Sequence, residues 1–140
     1  MTRAIPEVGE IFAGHVPASM KLHKITVGSD SSADVVVGST GEYVLANVTR
    51  PVAIFGMWTQ TDTPFTASVT LTLGDSTTAD RFFADTTINP AASGAVLIAS
   101  TGLTVPYVYS AAQDLKVTIA GATVAAGLCN VYLQYAVIED

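Results

Sequence analysis

The sequence predicts an all-β protein: a single jelly-roll-like antiparallel β-sandwich of about eight strands, with an extended N-terminal arm and one short helix. Three observations carry this prediction. Apolar and polar residues alternate with period two through several runs. Val, Thr, Ile and Tyr, which suit pleated and half-buried surfaces, fill those runs. Clusters of Gly, Ser, Asp and Thr separate them at roughly the 8–12-residue spacing of sandwiches and barrels, and the jelly roll is the form that suits this size.

Residues 1–20 contain Pro6, Gly9, Gly14 and Pro17 and read as an arm, leaving residues 21–140 for the sandwich domain. Lys21–Val27, Val35–Val37 and Glu42–Val48 follow as strands, split by the loop-like runs Gly28–Ser32 and Gly38–Gly41. Val52–Gln60 is apolar on both sides: strict alternation places Val52, Ile54 and Trp58 on one face and Ala53, Phe55 and Met57 on the other. One face meets the core, and the other needs a cover from the arm, a loop or another subunit. Trp and Met are favoured at protein interfaces.

Thr66–Leu73 alternates without a fault, with Ala67, Val69, Leu71 and Leu73 inward. Asp75–Ala84 then predicts the helix, with Asp75 or Ser76 as its N-cap and Phe82 and Phe83 as its anchors. Val96–Ser100 and Val105–Tyr109 are short strands. Asp114–Ile119 turns Leu115, Val117 and Ile119 inward. The last strand, about Leu128 to Ile138, puts Cys129, Val131, Leu133, Tyr135 and Val137 on one face and Asn130, Tyr132 and Gln134 on the other.

Composition narrows the function. The 140 residues suit one domain, which buries roughly two-thirds of its unfolded surface and so needs no staples. Charged residues make up 13% of the chain, against about 25% usually, so part of the surface is expected to be covered by a partner or a lattice. No apolar run reaches the ~18–20 residues that span a bilayer. No signal peptide and no membrane partner are expected. With Cys129 as the sole cysteine, no intramolecular disulfide forms, and the fold is compatible with a reducing compartment. Net charge is −6: residues 1–24 carry +1 and the rest of the chain −7. An acidic body argues against nucleic acid, which calls for a basic stripe.

The candidate chemistry is thin. Gly74-Asp75-Ser76 resembles the start of one esterase family, but such a serine needs a histidine base, and the two histidines, His15 and His23, both lie upstream. Asp75 and Ser76 suit a turn and helix cap instead. Cys129 falls on an inward strand position, as an inert thiol would. No His-x-x-x-His or Cys-x-x-Cys spacing points to zinc. The acids Asp75, Asp80 and Asp85 do not follow a calcium loop, and no Gly-x-x-x-x-Gly-Lys cradles a phosphate. No catalytic residue, metal or cofactor is expected. Tyr107, Tyr109 and Tyr132 suit stacking on a sugar, sheet packing or interface contact. With Ile5, Phe12, Val16, Phe55, Met57 and Trp58 they make up the candidate interface residues.

The C-terminal third reads Tyr107-Val108-Tyr109-Ser110, then Asp114–Ile119, then Ala126-Gly127-Leu128-Cys129-Asn130-Val131-Tyr132-Leu133-Gln134-Tyr135. A strand, a small-residue loop ending in Ala-Gly, and a terminal strand closing on Val-x-Leu-x-Tyr resemble the ends of small tailed-bacteriophage virion proteins. The tract Leu71–Ile88 fits the same picture, so the resemblance spans residues 42–140. It implies a jelly-roll decoration (cement) protein on the surface of an icosahedral capsid: a homotrimer that bridges major capsid protein subunits and has no catalytic residues. The alternatives are a neck, tail or fibre-base protein of the virion, or a carbohydrate-binding β-sandwich module.

Overall fold

The computed structural model describes residues 20–87, 97–99 and 106–138. They form ten strands: β1 (Lys21–Gly28), β2 (Val35–Val36), β3 (Gly41–Val48), β4 (Val52–Thr63), β5 (Thr70–Asp75), β6 (Phe83–Thr87), β7 (Leu97–Ala99), β8 (Tyr107–Tyr109), β9 (Gln113–Ala120) and β10 (Leu128–Val137). One sheet runs β2-β1-β10-β4-β7, with β8 also on β4, and the other runs β3-β9-β5-β6. β7 pairs with Trp58–Gln60 and β8 with Val52–Ile54, so together they serve as one broken strand along β4. With β2 set aside as a two-residue addition, this is the strand order of a jelly roll. With β2 left aside and β7 and β8 taken as one strand, successive strands switch sheets except at β5–β6, so both sheets contribute to one core.

The alternation seen in the sequence sets that core. Ile25, Val27, Ile54, Met57, Val131 and Leu133 from the first sheet face Leu71, Leu73, Leu115, Val117 and Ile119 from the second. Fully burying one such side chain is worth ~1.5–3 kcal/mol relative to exposure. The loop before β10 is tied down locally. The Thr66 hydroxyl accepts hydrogen bonds from the amides of Ala125 (2.9 Å) and Ala126 (3.1 Å). Gly127 (φ +141°) lies so close to the Phe65 ring that a Cβ would stand 2.4 Å from it.

Three expectations are corrected. The short helix at 75–84 does not form. Asp75 Oδ1 instead accepts the amides of Thr77 and Thr78, and the Phe82 amide donates to the Leu73 carbonyl, so the chain folds back into β6. Gly74 permits the close approach: a Cβ there would lie 2.1 Å from the Thr78 carbonyl oxygen. Secondly, β5 begins at Thr70. The preceding Thr66–Ser68 is a turn, with Ser68 at φ +74° and Ala67 exposed rather than inward.

The third correction concerns β4. A bulge lies opposite Gln134 and Tyr135, which pair with Gly56 and Ile54 and leave Phe55 as the extra residue. One extra residue inverts the alternation beyond it. Met57, not Trp58, therefore joins Val52 and Ile54 on the core side; Met57 is fully buried and Trp58 is turned outward and half-buried.

Candidate interaction surfaces

The outer face of the β1-β10-β4 sheet carries Trp58 and Tyr132, two aromatic residues that do not enter the core. Lys24, Tyr132 and Trp58 stand on one rung across the three strands, and Thr26, Asn130 and Gln60 on the next. Leu22, on the rung of Gln134 and Gly56, is 65% exposed. Gly56 leaves room for the indole, because a Cβ there would lie 3.0 Å from Trp58 Cη2. The Tyr132 hydroxyl donates to Gln60 Oε1 (3.4 Å), and Asn130 Nδ2 donates to Asp62 Oδ2 (2.9 Å). Both polar groups lie along the face and give the aromatic pair an oriented polar rim. The Thr26 amide and hydroxyl engage Asp34 reciprocally, at 2.9 and 2.7 Å, which occupies that part of the β1 edge.

A second cluster joins the two sheets. The Asp75 carboxylate, at the end of β5, has no exposed side-chain surface. Oδ2 accepts from Tyr109 Oη and Arg81 Nε, each at 2.5 Å, and Oδ1 accepts from the amides of Thr77 (2.9 Å) and Thr78 (2.7 Å). Burial pushes this carboxyl up, but the hydrogen bonds from Tyr109, Arg81 and the two amides outweigh it and hold it below the usual carboxylate range. Burial, with the hydrogen bond to Asp75, pushes the Tyr109 phenol up. The Arg81 guanidinium also lies 4.3 Å over the Tyr107 ring. Tyr107, Tyr109 and Phe82 meet edge-to-face, with centroids 4.9–6.2 Å apart. With its acceptors filled by fixed donors, the carboxylate is built to hold β8 against the other sheet.

The structure separates the residues singled out from the sequence. Trp58 and Tyr132 come together on the outer face, with Phe55 half-buried at the bulge beside them in sequence. Met57 (0% exposed) and Tyr109 (6%) belong to the core and offer no surface. Tyr107 packs against that core beneath Arg81. Ile5, Phe12 and Val16 lie outside the described residues. The sequence did not reveal the Asp75–Tyr109 contact, 34 residues apart, or the exposed apolar positions Leu22, Val36, Val44 and Val108. Leu22 was legible as an outward position, since it alternates with the inward end of β1.

Ser76 lines a shallow groove with Asn47, Thr49 and Gln113, and among the described residues no histidine lines it. The Cys129 thiol is buried, and desolvation pushes it up to about 12. Among the described residues, no group of three or more His, Cys, Asp or Glu is placed to hold a metal ion.

No protein-family model matches the chain, and no curated protein matches it in sequence. Solved structures do match in fold. A chain of the cyanophage Pam1 capsid asymmetric unit superposes with a TM-score of 0.62 at 18% identity, covering 86% of each chain. A chain of the acid-stable capsid of Helicobacter pylori bacteriophage KHP30 superposes with a TM-score of 0.57 at 11% identity, covering 88% of this chain and 99% of that one. At these identities the similarity establishes a shared jelly-roll fold over nearly the whole length.

Proposed function

We propose that this chain is a structural virion protein, located on a phage capsid, that decorates the shell and bridges major capsid protein subunits as a trimer. The observation that carries this reading is the near-complete fold match to chains from two phage capsids. The outer sheet face supports it: Trp58 and Tyr132 stand side by side with Leu22 exposed nearby, on a chain with only 13% charged residues. Such a face offers aromatic anchors inside a polar rim, as protein interfaces do. The role proposed for this face is contact rather than catalysis.

The mechanism is additive. A trimer that touches several subunits at once gains from effective concentration, so individually weak contacts add up. A protein that binds the assembled shell, and not its dissociated parts, shifts the balance toward assembly.

Quantitative mass spectrometry of purified virions tests this directly. Hundreds of copies per particle support a capsid role, whereas about a dozen point to the neck or tail. Mixing the purified chain with shells that lack it separates decoration from a subunit of the shell. Saturable binding supports decoration, and closed shells formed by this chain alone overturn it.

A further inference from the structure

The first sheet ends in a column that is half filled. β2 lies beside β1 and pairs through Val35 and Val36 with Val27 and Gly28. Asp34 closes the column at the next position, where its Oδ2 accepts the Thr26 amide at 2.9 Å. In an antiparallel ladder every second residue turns its N–H and C=O away from the partner strand. Thr26 does so, since its amide goes to Asp34 and not to β10. Lys24 and Leu22 therefore turn theirs the same way, and among the described residues no strand pairs with them on that side. Lys21 to Lys24 are all exposed. Beside this edge the two sheets part over a shallow groove of about 400 Å³, with Ile25, Val35, Val44 and Ala46 as its apolar lining.

We propose that the vacant half of this column receives an extended acidic segment of a partner protein, which adds as a strand beside Leu22–Lys24. Unpaired N–H and C=O groups on a sheet edge are matched by an extended backbone. Side chains of the added strand alternate. Every second one lies over the apolar groove, and those between lie beside Lys24 and Leu22 on the outer face. The matching segment thus alternates apolar residues with Asp or Glu.

Charge selects the occupant. Lys21, His23 and Lys24 are gathered at this edge on a chain of net charge −6. Asp34, the acid that lines the groove, is already engaged by Thr26. A second β1 in the column would crowd Lys21 and Lys24 of both copies together, which is how lysines guard an edge against self-pairing. The inference does not rest on a capsid role, because the edge belongs to the single subunit.

Peptide binding to the full chain tests it, without shells. An acetylated peptide alternating Val and Glu, dye-labelled and followed by fluorescence anisotropy, should bind saturably. It should bind at least about tenfold more tightly than the Val–Lys analogue, and more weakly as salt rises. N-methylation of the peptide's backbone amides should cost at least about tenfold, because main-chain hydrogen bonds carry the affinity. Leu22→Pro removes an N–H that β10 does not use, a change edge strands tolerate, and should weaken binding to a similar extent. Lys24→Glu should shift the preference toward the Val–Lys peptide. No binding, equal affinity for the two peptides, or full binding after N-methylation overturns the proposal. A concentration-dependent dimer that excludes the peptide overturns it in favour of a second copy.

Discussion

The Tyr109 hydroxyl on β8 donates to the Asp75 carboxylate at the end of β5, 2.5 Å away, and this bond crosses from one sheet to the other. β8 is three residues long and, among the described residues, pairs with β4 alone. Its position therefore depends on side-chain contacts, and the Asp75 cluster supplies them.

Tyr109→Phe keeps the ring contacts with Phe82 and Tyr107 and removes one hydrogen bond to a charged group. The expected loss is about 1.5–3 kcal/mol, seen in urea unfolding as a lower midpoint with an unchanged slope. Asp75→Asn should cost more, about 3–5 kcal/mol, because Arg81 and Tyr109 then lose a shared anionic partner in a buried site. Equal losses in the two variants would show that the charge of Asp75 adds nothing.

Acid sensitivity follows from the same carboxylate. Its folded-state pKa is depressed, so its contribution is complete above the unfolded carboxylate value of about 3.9 and disappears as pH falls through the lower folded value. Asp30 and Asp34 are also depressed, by hydrogen bonds from Ser32 and Thr26 respectively, and act in the same direction. Stability measured between pH 6 and pH 2 should fall steeply in the native sequence. In Asp75→Asn it should start lower and fall less. An identical slope in both proteins would remove Asp75 from the acid response.

Two glycines should differ in their tolerance of a methyl group. Gly74→Ala places a Cβ against the Thr78 and Ala79 backbone at 2.1–2.4 Å, where nothing flexible can give way. Gly56→Ala meets the edge of the Trp58 ring at 3.0 Å, which can tilt outward. Thermal unfolding should show a loss of about 3 kcal/mol or more for Gly74→Ala and under about 1.5 kcal/mol for Gly56→Ala. Gly56→Ala should also shift the Trp58 fluorescence maximum.

The outer face should carry docking without carrying stability. Replacing Tyr132 by Ser together with Leu22 by Asp leaves the core unaltered, since both side chains point away from it. If the face docks on shells, affinity should drop by about thirtyfold or more, the scale of a hot-spot loss of ~2 kcal/mol, with thermal unfolding little changed. Unaltered shell binding in this variant would move the docking surface elsewhere.

Cys129 supplies a probe of global opening. Buried on β10 and with its thiol pushed up to about 12, it should react with a thiol reagent only as fast as the core opens. Labelling kinetics of the native chain and of Gly74→Ala should separate by the ratio of their unfolding constants.

Much of the fold is legible in the sequence because a strand's side chains alternate regardless of what it pairs with. Leu115, Val117 and Ile119 face inward as the pattern requires, and so do Cys129, Val131 and Leu133. The alternation misleads where the backbone breaks its period. The bulge at Phe55 exchanged the faces of Met57 and Trp58, and the positive φ of Ser68 took Ala67 out of β5. The expected helix failed for a related reason. Asp75 suits a helix cap and a turn equally well, and the Leu73 carbonyl, which receives the Phe82 amide, is the partner that settles the matter.

The sequence by itself determined that the chain is all-β, that most strands have one apolar face, and that Cys129 lies inside. Only the tertiary structure decided that β10 lies between β1 and β4, that Trp58 and Tyr132 share a rung, and that Tyr109 reaches Asp75. The physical reason is that period two records which side of a strand is dry. Which strand lies beside it depends on contacts between residues far apart in the chain, and those exist only once both sheets have closed on one core.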